Sequence, residues 1–485
     1  MNTKPMLTAV AAALFSLGAC VSAQAADLST CTTCHSNITK AHAGAAHKDI
    51  ACTSCHSGVD QHLKKVTDRP TVNMDPATCG GCHQAQYKSL YKDDGRAARQ
   101  SKKAPNGPAP DPFFDRALGA HGFTVEHDLP RAHVWMAIDQ FIVDRAFGGR
   151  FEPKDGWLYA TLDGGKSYKV WDVLKDNYPD NNVQKAHKPG TAAAANAVCW
   201  SCKSTDVMMD WAYLGDKVEG AQFSRSSNPV DVVRKVNHAI NCNFCHDPHT
   251  AQPRVVRDAL IDAVTRDDKS VPNVYRDVAA HPTKLDVKDV GVRGFTRKVA
   301  YMDKADSNLM CAQCHVEYIC NPGFDAKTGA KIGFDSRLTN HFPFVNADEI
   351  EQYYDKIGFR DFKHNLTGAA LVKMQHPDTE TYFGSTHDKA GATCATCHMP
   401  KVKDEKTGKM YTVHWATSPR HYMQETCLTC HKDKTAEQMN KAIDAMKGHY
   451  DGKVREAEAR MNDMFNAFEL AIASGVDEKT LDEAR

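Results

Sequence analysis

Eight Cys-x-x-Cys pairs punctuate this chain, and they constrain its fold more than any other feature. Seven are followed at once by histidine: Cys31/Cys34/His35, Cys52/Cys55/His56, Cys79/Cys82/His83, Cys242/Cys245/His246, Cys311/Cys314/His315, Cys394/Cys397/His398 and Cys427/Cys430/His431. This is the attachment signature of c-type haem. Two thioethers need sulfurs about one helical turn apart, and the adjacent histidine then lies under the iron as proximal ligand. Zinc sites would use the pairs two by two, and a disulfide framework sets no rule for the next residue, so neither accounts for seven histidines. A chain with 42% apolar and 8% aromatic residues is lean for a length of 485, and flat porphyrins supply the missing apolar surface.

The eighth pair differs. Cys199-Trp200-Ser201-Cys202 is followed by Lys203. Lysine ligates iron only as the neutral amine, so this haem is chemically distinct. The alternatives are a decayed haem site or a proximal ligand from elsewhere. Of 24 histidines, seven follow the pairs and seventeen remain, enough to close seven haems and leave several over. Haems closed by two histidines carry electrons, whereas catalysis needs an open position. The Lys203 haem is the natural open one. Equal numbers of basic and acidic residues, 60 each, argue against a nucleic-acid partner bound through a basic surface.

Residues 1–25 read as a secretory signal, with Lys4, an apolar run over residues 6–18 and Ala23-Gln24-Ala25 as cleavage site. Export to the periplasm is the expectation. A lipoprotein box ending at Cys20 is the less favoured alternative, and no later segment is apolar enough to span a membrane. Three motifs crowd into residues 31–83 and the next begins at Cys199. The expected organisation is therefore a trihaem domain and linker over 26–110 and a pentahaem domain over 111–485. Strand signals are few. The fold class is mainly α, a multihaem cytochrome c fold with a haem-packed core and long C-terminal helices. One helix is expected over 347–357, with Asn346 as N-cap and Gly358 as stop. Another follows the periodicity of Met439, Ile443, Met446, Met461, Met464, Phe465 and Phe468 over 434–474.

The single Lys motif among His motifs resembles the ammonia-forming cytochrome c nitrite reductases. Pro130-Arg131-Ala132-His133, Glu317-Tyr318 and Lys373-Met374-Gln375-His376-Pro377 are similar to that family's segments. The pentahaem members cover only the chain from about residue 111 onward. With its trihaem extension and Cys320, the whole chain looks like the octahaem nitrite reductases, in which the Tyr-x-Cys pair is a thioether, here Tyr318 and Cys320. The resemblance implies eight haem c and a calcium ion. It implies a distal pocket of Arg131, Tyr318 and His376 above the Lys203 haem, and calcium on Glu317, Gln375 and the carbonyls of Tyr318 and Lys373. By family spacing His121 closes the Cys311 haem, His414 the Cys242 haem and His387 the Cys427 haem. His42, His47 and His62 are unpaired candidates in the trihaem region. The family's distal histidine for the Cys394 haem lies beyond Arg485, where helical pattern continues without a stop, so the natural chain is expected to extend further; within this sequence only His449 lies downstream of His431. Nitrite, a quinol-linked or small-cytochrome electron donor and a homo-oligomer, hexameric by resemblance, complete the expectation. Hydroxylamine, sulfite or tetrathionate chemistry, or a purely electron-carrying cytochrome, are the competing functions.

Overall fold

A computed structural model describes residues 28–90, 197–227, 232, 238, 240–266, 283–292, 294–319, 322–364 and 366–485. The chain divides into two compact units, Met1–Asn73 and Met74–Arg485. The third motif, at Cys79, thus belongs to the larger unit. The expected boundary near residue 110 lies outside the described residues.

In the first unit, α1 (Leu28–Ala43) leaves helical geometry at His35, with φ −112° and ψ 39°, where the first haem motif ends. Strand β1 (His56–Ser57) begins at the histidine of the second motif. Helix α2 (Val59–Lys64) is launched by Gly58, whose φ of 77° is in the left-handed region that glycine adopts without strain. Strand β2 (Thr71–Val72) returns antiparallel to β1, pairing His56 with Val72 and Ser57 with Thr71.

The second unit is mainly helical. Short helices α3 (Pro76–Gly80), α4 (Gln84–Leu90), α5 (Ala197–Trp200), α6 (Thr205–Met209) and α7 (Cys242–Cys245) carry or flank haem motifs. Between α7 and the next motif lies the largest sheet among the described residues. Strand β3 (Arg254–Val255), helix α8 (Asp258–Thr265), β4 (Leu285–Val292) and β5 (Phe295–Met302) fold so that the strands lie in the order β3-β5-β4. The β4–β5 pairing is antiparallel and runs from Leu285 opposite Met302 to Val292 opposite Phe295. Against the expectation of few strands, this hairpin is the main addition. Its inward positions on β5 are Phe295, Arg297 and Val299, and a guanidinium in an inward place disguises the apolar alternation.

Helices α9 (Ser307–Ala312), α10 (Ile350–Ile357), α11 (Asp378–Tyr382), α12 (Thr386–Lys389), α13 (Cys394–His398) and α14 (Cys427–Cys430) follow. The expected helix at 347–357 is present. Asn346 and Glu349 form a capping box, residues 347–349 make a 3₁₀ turn into α10, and Gly358 ends the helix at φ 68°. The expected long helix is α15 (Ala436–Ala473), started by a Thr435–Gln438 capping box. Its stripe is buried only at Phe465 and Phe468, while Met446, Met461 and Met464 remain exposed. After Gly475 at φ 73°, α16 (Glu478–Ala484) begins at an Asp477 cap. The core gathers Trp200, Trp211, Phe244, Leu260, Val299 and Phe342 around β5 and α8. Among the described residues no helix is long and apolar enough to cross a membrane.

Candidate haem-binding and distal site

Each motif wraps about one helical turn, and the turns meet in pairs. Within the first unit the Cys31 and Cys52 thiols are hydrogen-bonded. Within the second, Cys79 meets Cys242, Cys311 meets Cys394, and Cys202 meets Cys314. Gln313 Nε2 lies 4.0 Å from the Cys245 sulfur, and Cys202 Sγ lies 3.8 Å from the Gln313 carbonyl. Cys397 feels the charges of Cys427 and Cys430. Six motifs of this unit therefore form one contiguous line, from Cys79 through Cys242 and Cys311 to Cys394 and Cys427, with the Lys203 motif branching at Cys314.

In the third motif, as in those at Cys52, Cys199 and Cys311, the second cysteine lies just beyond the helical turn. Helix α3 ends at Gly80, so Cys79 is helical while Cys82 stands on the turn beyond it, with its side chain exposed. Two consecutive glycines, Gly80 and Gly81, favour that early stop, because glycine is a poor helix former. The turn nonetheless stays closed: the Cys82 and His83 N–H groups both donate to the Cys79 carbonyl, at 3.2 and 2.9 Å. Cys34 and Cys430 are exposed in the same way, each the second cysteine of its motif. For these three the protein itself supplies little cover, and a porphyrin lying on the motif would have to supply it.

Residues just after Lys203 set the branch at Cys314. Ser204 Oγ donates to the His238 carbonyl at 2.7 Å, the Asp206 carboxylate accepts from His238 Nδ1 at 3.0 Å, and the Asn241 N–H donates to Thr205 Oγ1 at 3.0 Å. The segment leading into Cys242 is clamped to the helix leaving Lys203.

Two features fit haem. Histidines that ligate a metal usually donate their other ring N–H to an acceptor that fixes the ring. His246 Nδ1 faces the Ala251 carbonyl at 3.4 Å, His315 Nδ1 the Asp378 carboxylate at 2.8 Å, and His398 Nδ1 the Thr417 carbonyl at 2.9 Å. His414 Nδ1 does the same with Thr412 at 2.8 Å. In all four the orienting contact engages Nδ1, so Nε2 is the ring nitrogen that would serve iron. The second feature is cationic. Arg254, Arg257 and Arg297 are buried, and each keeps at least one N–H with no protein partner; Arg257 keeps Nε and Nη2, the side-on fork that suits a carboxylate such as a haem propionate.

The Lys203, Tyr318 and His376 segments come together. Thr379 donates through its N–H and its hydroxyl to the His315 carbonyl, at 3.1 and 2.6 Å, which ties α11 to the Cys311 motif. This sets the His376 ring beside Tyr318, with centroids 5.6 Å apart. Burial first, and then the positive charge of Lys203, push the His376 imidazole down to about 3. It is therefore neutral at physiological pH, and its Nδ1 is buried with no partner. Tyr318 is buried against Phe342, and Arg257 lies over the other ring with its Cζ 5.1 Å from the Phe342 centroid.

Behind this pair, Glu317 is fully buried. Tyr354 donates its hydroxyl to Oε1 and Gln375 its N–H to Oε2, both at 2.6 Å. The Glu317 N–H donates in turn to Glu380 Oε1 at 3.1 Å, and the Lys373 N–H to Asp361 Oδ2 at 2.7 Å. Burial pushes Glu317 up to about 7 and Glu380 to about 8. Glu317 thus feels the negative charge of Asp361, and Glu380 that of Glu317, so a cation nearby would relieve both desolvation and repulsion. Among the described residues no cluster of three or more His, Cys, Asp or Glu side chains has metal-holding geometry. A cation here would lean on amide and carbonyl oxygens as well, the hard donors calcium takes.

Arg131, His121 and Cys320 lie outside the described residues, as does the Cys199 side chain. His387 and His431 have ring centroids 6.3 Å apart. His414 feels the charges of both His246 and His83. His449 is exposed on α15 beside Tyr450. Sequence reasoning missed Tyr354, Asp361, Glu380 and Arg257, which carry no local motif and reach the site from distant elements.

The Cytochrome c552 family model matches residues 157–485. A cytochrome c-552 of Haemophilus influenzae (strain 86-028NP) is 30% identical over 336 residues, 66% of this chain and 52% of that protein. The cytochrome c nitrite reductase subunit NrfA of Nitratidesulfovibrio vulgaris is 28% identical over 294 residues, 58% of this chain and 47% of its own. The chain thus spans about half the length of the curated relatives it matches. In fold, it is similar to a cytochrome c nitrite reductase from Desulfovibrio desulfuricans ATCC 27774, a structure described with two calcium sites in its catalytic subunit. That match has a TM-score of 0.50 at 22% identity and covers 82% of this chain and 73% of the other.

Proposed function

We propose, for a chain that belongs to the cytochrome c552 family, that it is a periplasmic octahaem enzyme reducing nitrite to ammonium at a Lys203-ligated haem. The observation that carries this is the meeting of Tyr318 and His376, 5.6 Å apart by ring centroid, in the neighbourhood of Lys203. The reaction takes nitrite, six electrons and eight protons to ammonium and two waters. A haem held by Cys199, Cys202 and Lys203 would supply the electrons and the Lewis acidity for this reduction.

This chain's own residues manage anion and protons. Arg131 donates to the nitrite oxygens and supplies fixed positive charge. His376, buried and neutral, hydrogen-bonds a departing oxygen; because its imidazolium is disfavoured, any proton it receives is passed on readily. The Tyr318 hydroxyl is the second donor, and a thioether to Cys320 would make that phenol more acidic. Calcium held by Glu317, Gln375 and the carbonyls of Tyr318 and Lys373 would fix both catalytic side chains from behind, since Glu317 precedes one and Gln375 the other in sequence. Electrons from a quinol-linked donor or small cytochrome enter the line of motifs.

A second reading has one observation on its side. His376 and His315 have ring centroids 6.0 Å apart, the spacing of two imidazoles on one metal. His376 would then close the Cys311 haem. Its Nδ1, however, lacks the orienting acceptor that His246, His315, His398 and His414 all have. Turnover of nitrite with reduced viologen, with ammonium quantified, tests the main reading: ammonium in stoichiometric yield supports it, and none overturns it.

A further inference from the structure

We infer that His62 is the second axial ligand of the haem at Cys31 and Cys34, opposite His35. The inference rests on the reading that this motif carries haem, and it pairs a histidine that the sequence leaves unpaired.

Two imidazoles bound to opposite faces of one metal, with bonds of about 2 Å, have ring centroids roughly 6 Å apart. His35 and His62 are 6.1 Å apart. His387 and His431, paired independently by family spacing, read 6.3 Å on the same scale. Distance alone does not make a ligand, as His376 shows. His62 meets the second criterion as well, because its Nδ1 faces the Asp68 carbonyl at 3.1 Å and its Nε2 is left for a metal.

The local fold explains why His62 is held there. Gly58 turns the chain into α2, and the Lys65 N–H closes that helix on the Gln61 carbonyl. The β1–β2 ladder pins both ends of the loop carrying α2, with the Asn73 N–H donating to the Cys55 carbonyl at 2.8 Å. The Asp68 N–H donates to the Lys65 carbonyl at 2.9 Å, which sets the acceptor that orients His62. His42 cannot serve in its place. It rides on α1 two turns beyond His35, about 10 Å of rise away, and cannot face it across one iron.

The test uses the full-length mature holoprotein. Intact mass and peptide mapping first establish whether Cys31 and Cys34 carry haem; a haem-free peptide in the wild type would sink the octahaem reading itself. With haem present, His62→Ala should add a second ferric high-spin haem to the electron paramagnetic resonance spectrum, and exogenous imidazole should return it to low spin. His62→Met should keep the haem low-spin while adding a sulfur-to-iron charge-transfer band in near-infrared magnetic circular dichroism. An unchanged high-spin count in His62→Ala, or a Met variant without the new band, overturns the assignment. In that event His47→Ala should produce the second high-spin haem instead.

Discussion

Between Leu28 and Asn73 only Thr39 and His42 have buried side chains among the described residues, while Ile38, Ile50, Leu63, Val66 and Val72 are exposed. The second unit contrasts sharply. There Trp200, Trp211, Leu260, Val299 and Phe342 form a contiguous core, and buried charges at Arg257, Asp258 and Arg297 are laced into it. One unit has an interior of its own and the other has almost none. The difference shows what each asks of its cofactors. On the proposed octahaem reading, porphyrin would provide the apolar interior of the first unit, and attachment and folding there would be one event. In the second, protein packing frames the motifs and can hold a distal pocket to the tolerance catalysis needs.

The largest effect should come from removing haem where there is no other core. Cys52→Ala with Cys55→Ala should unfold the first unit and expose residues 28–73 to protease, leaving a resistant fragment beginning near Met74. The matching pair Cys427→Ala and Cys430→Ala should leave the core around β5 resistant. Limited proteolysis with mass mapping reads both, and equal sensitivity of the two units in either variant would break the comparison.

The distal pocket comes next. His376→Ala and Tyr318→Phe should each lower nitrite turnover by about 10²-fold or more, as the loss of a positioned proton donor does. Arg131→Ala should raise KM as well as lower kcat. His376→Ala also separates the two readings of that residue. As a pocket residue its loss leaves the number of high-spin haems unchanged; as a ligand its loss adds one, measured by electron paramagnetic resonance.

Much of this was legible in the sequence because haem attachment is local chemistry. Cys-x-x-Cys-His needs one helical turn, and α7, α13 and α14 are little more than that turn. The caps at Asn346 and Gly358 are local for the same reason. The distal cluster was legible only through family resemblance, since nothing near Tyr318 announces His376, fifty-eight residues on. Its frame was not legible at all. Tyr354 reaches Glu317 across 37 residues and Glu380 across 63, and Arg257 lies over the Phe342 ring from a distant element. Such contacts are fixed by packing, which pattern along the chain does not encode.

The buried charges of the second unit make a third prediction. Asp258 accepts from Trp211 Nε1 at 2.9 Å, from Arg257 Nη1 at 2.9 Å and from Asn340 Nδ2 at 3.2 Å. Arg257→Met removes the cation and leaves a fully buried carboxylate with neutral donors only. A cost of about 3–5 kcal/mol is expected for breaking a buried pair in this way. Thermal unfolding of the holoprotein followed by circular dichroism measures it. The double variant Arg257→Met with Asp258→Asn should recover only part of the loss: it removes the carboxylate left without its guanidinium, but also the negative charge that favours the buried Arg297.

The smallest effect should be a pH dependence confined to the second unit. The rings of His341 and Tyr353 lie nearly coplanar, 13° apart with centroids 5.8 Å apart, and meet through a hydrogen bond of 2.5 Å between His341 Nε2 and the Tyr353 hydroxyl. Burial, reinforced by the charge of Arg266, pushes the imidazole down to about 3. In the unfolded chain it titrates near its ordinary value of about 6.5. Between those two values the unfolded state binds the extra proton, so stability rises with pH across the window. The contribution is complete above about 6.5 and is lost as pH falls toward 3. From pH 7 to pH 5 the expected loss is about 2 kcal/mol, at roughly 1.4 kcal/mol for each pH unit below 6.5. His341→Phe keeps a ring in place, loses the hydrogen bond to Tyr353 and removes the titration, so its stability should be flatter across this range than that of the parent. Denaturant unfolding at pH 7 and pH 5, followed through the second unit's tryptophans, gives the difference. A variant whose pH slope equals the parent's would place the titrating group elsewhere.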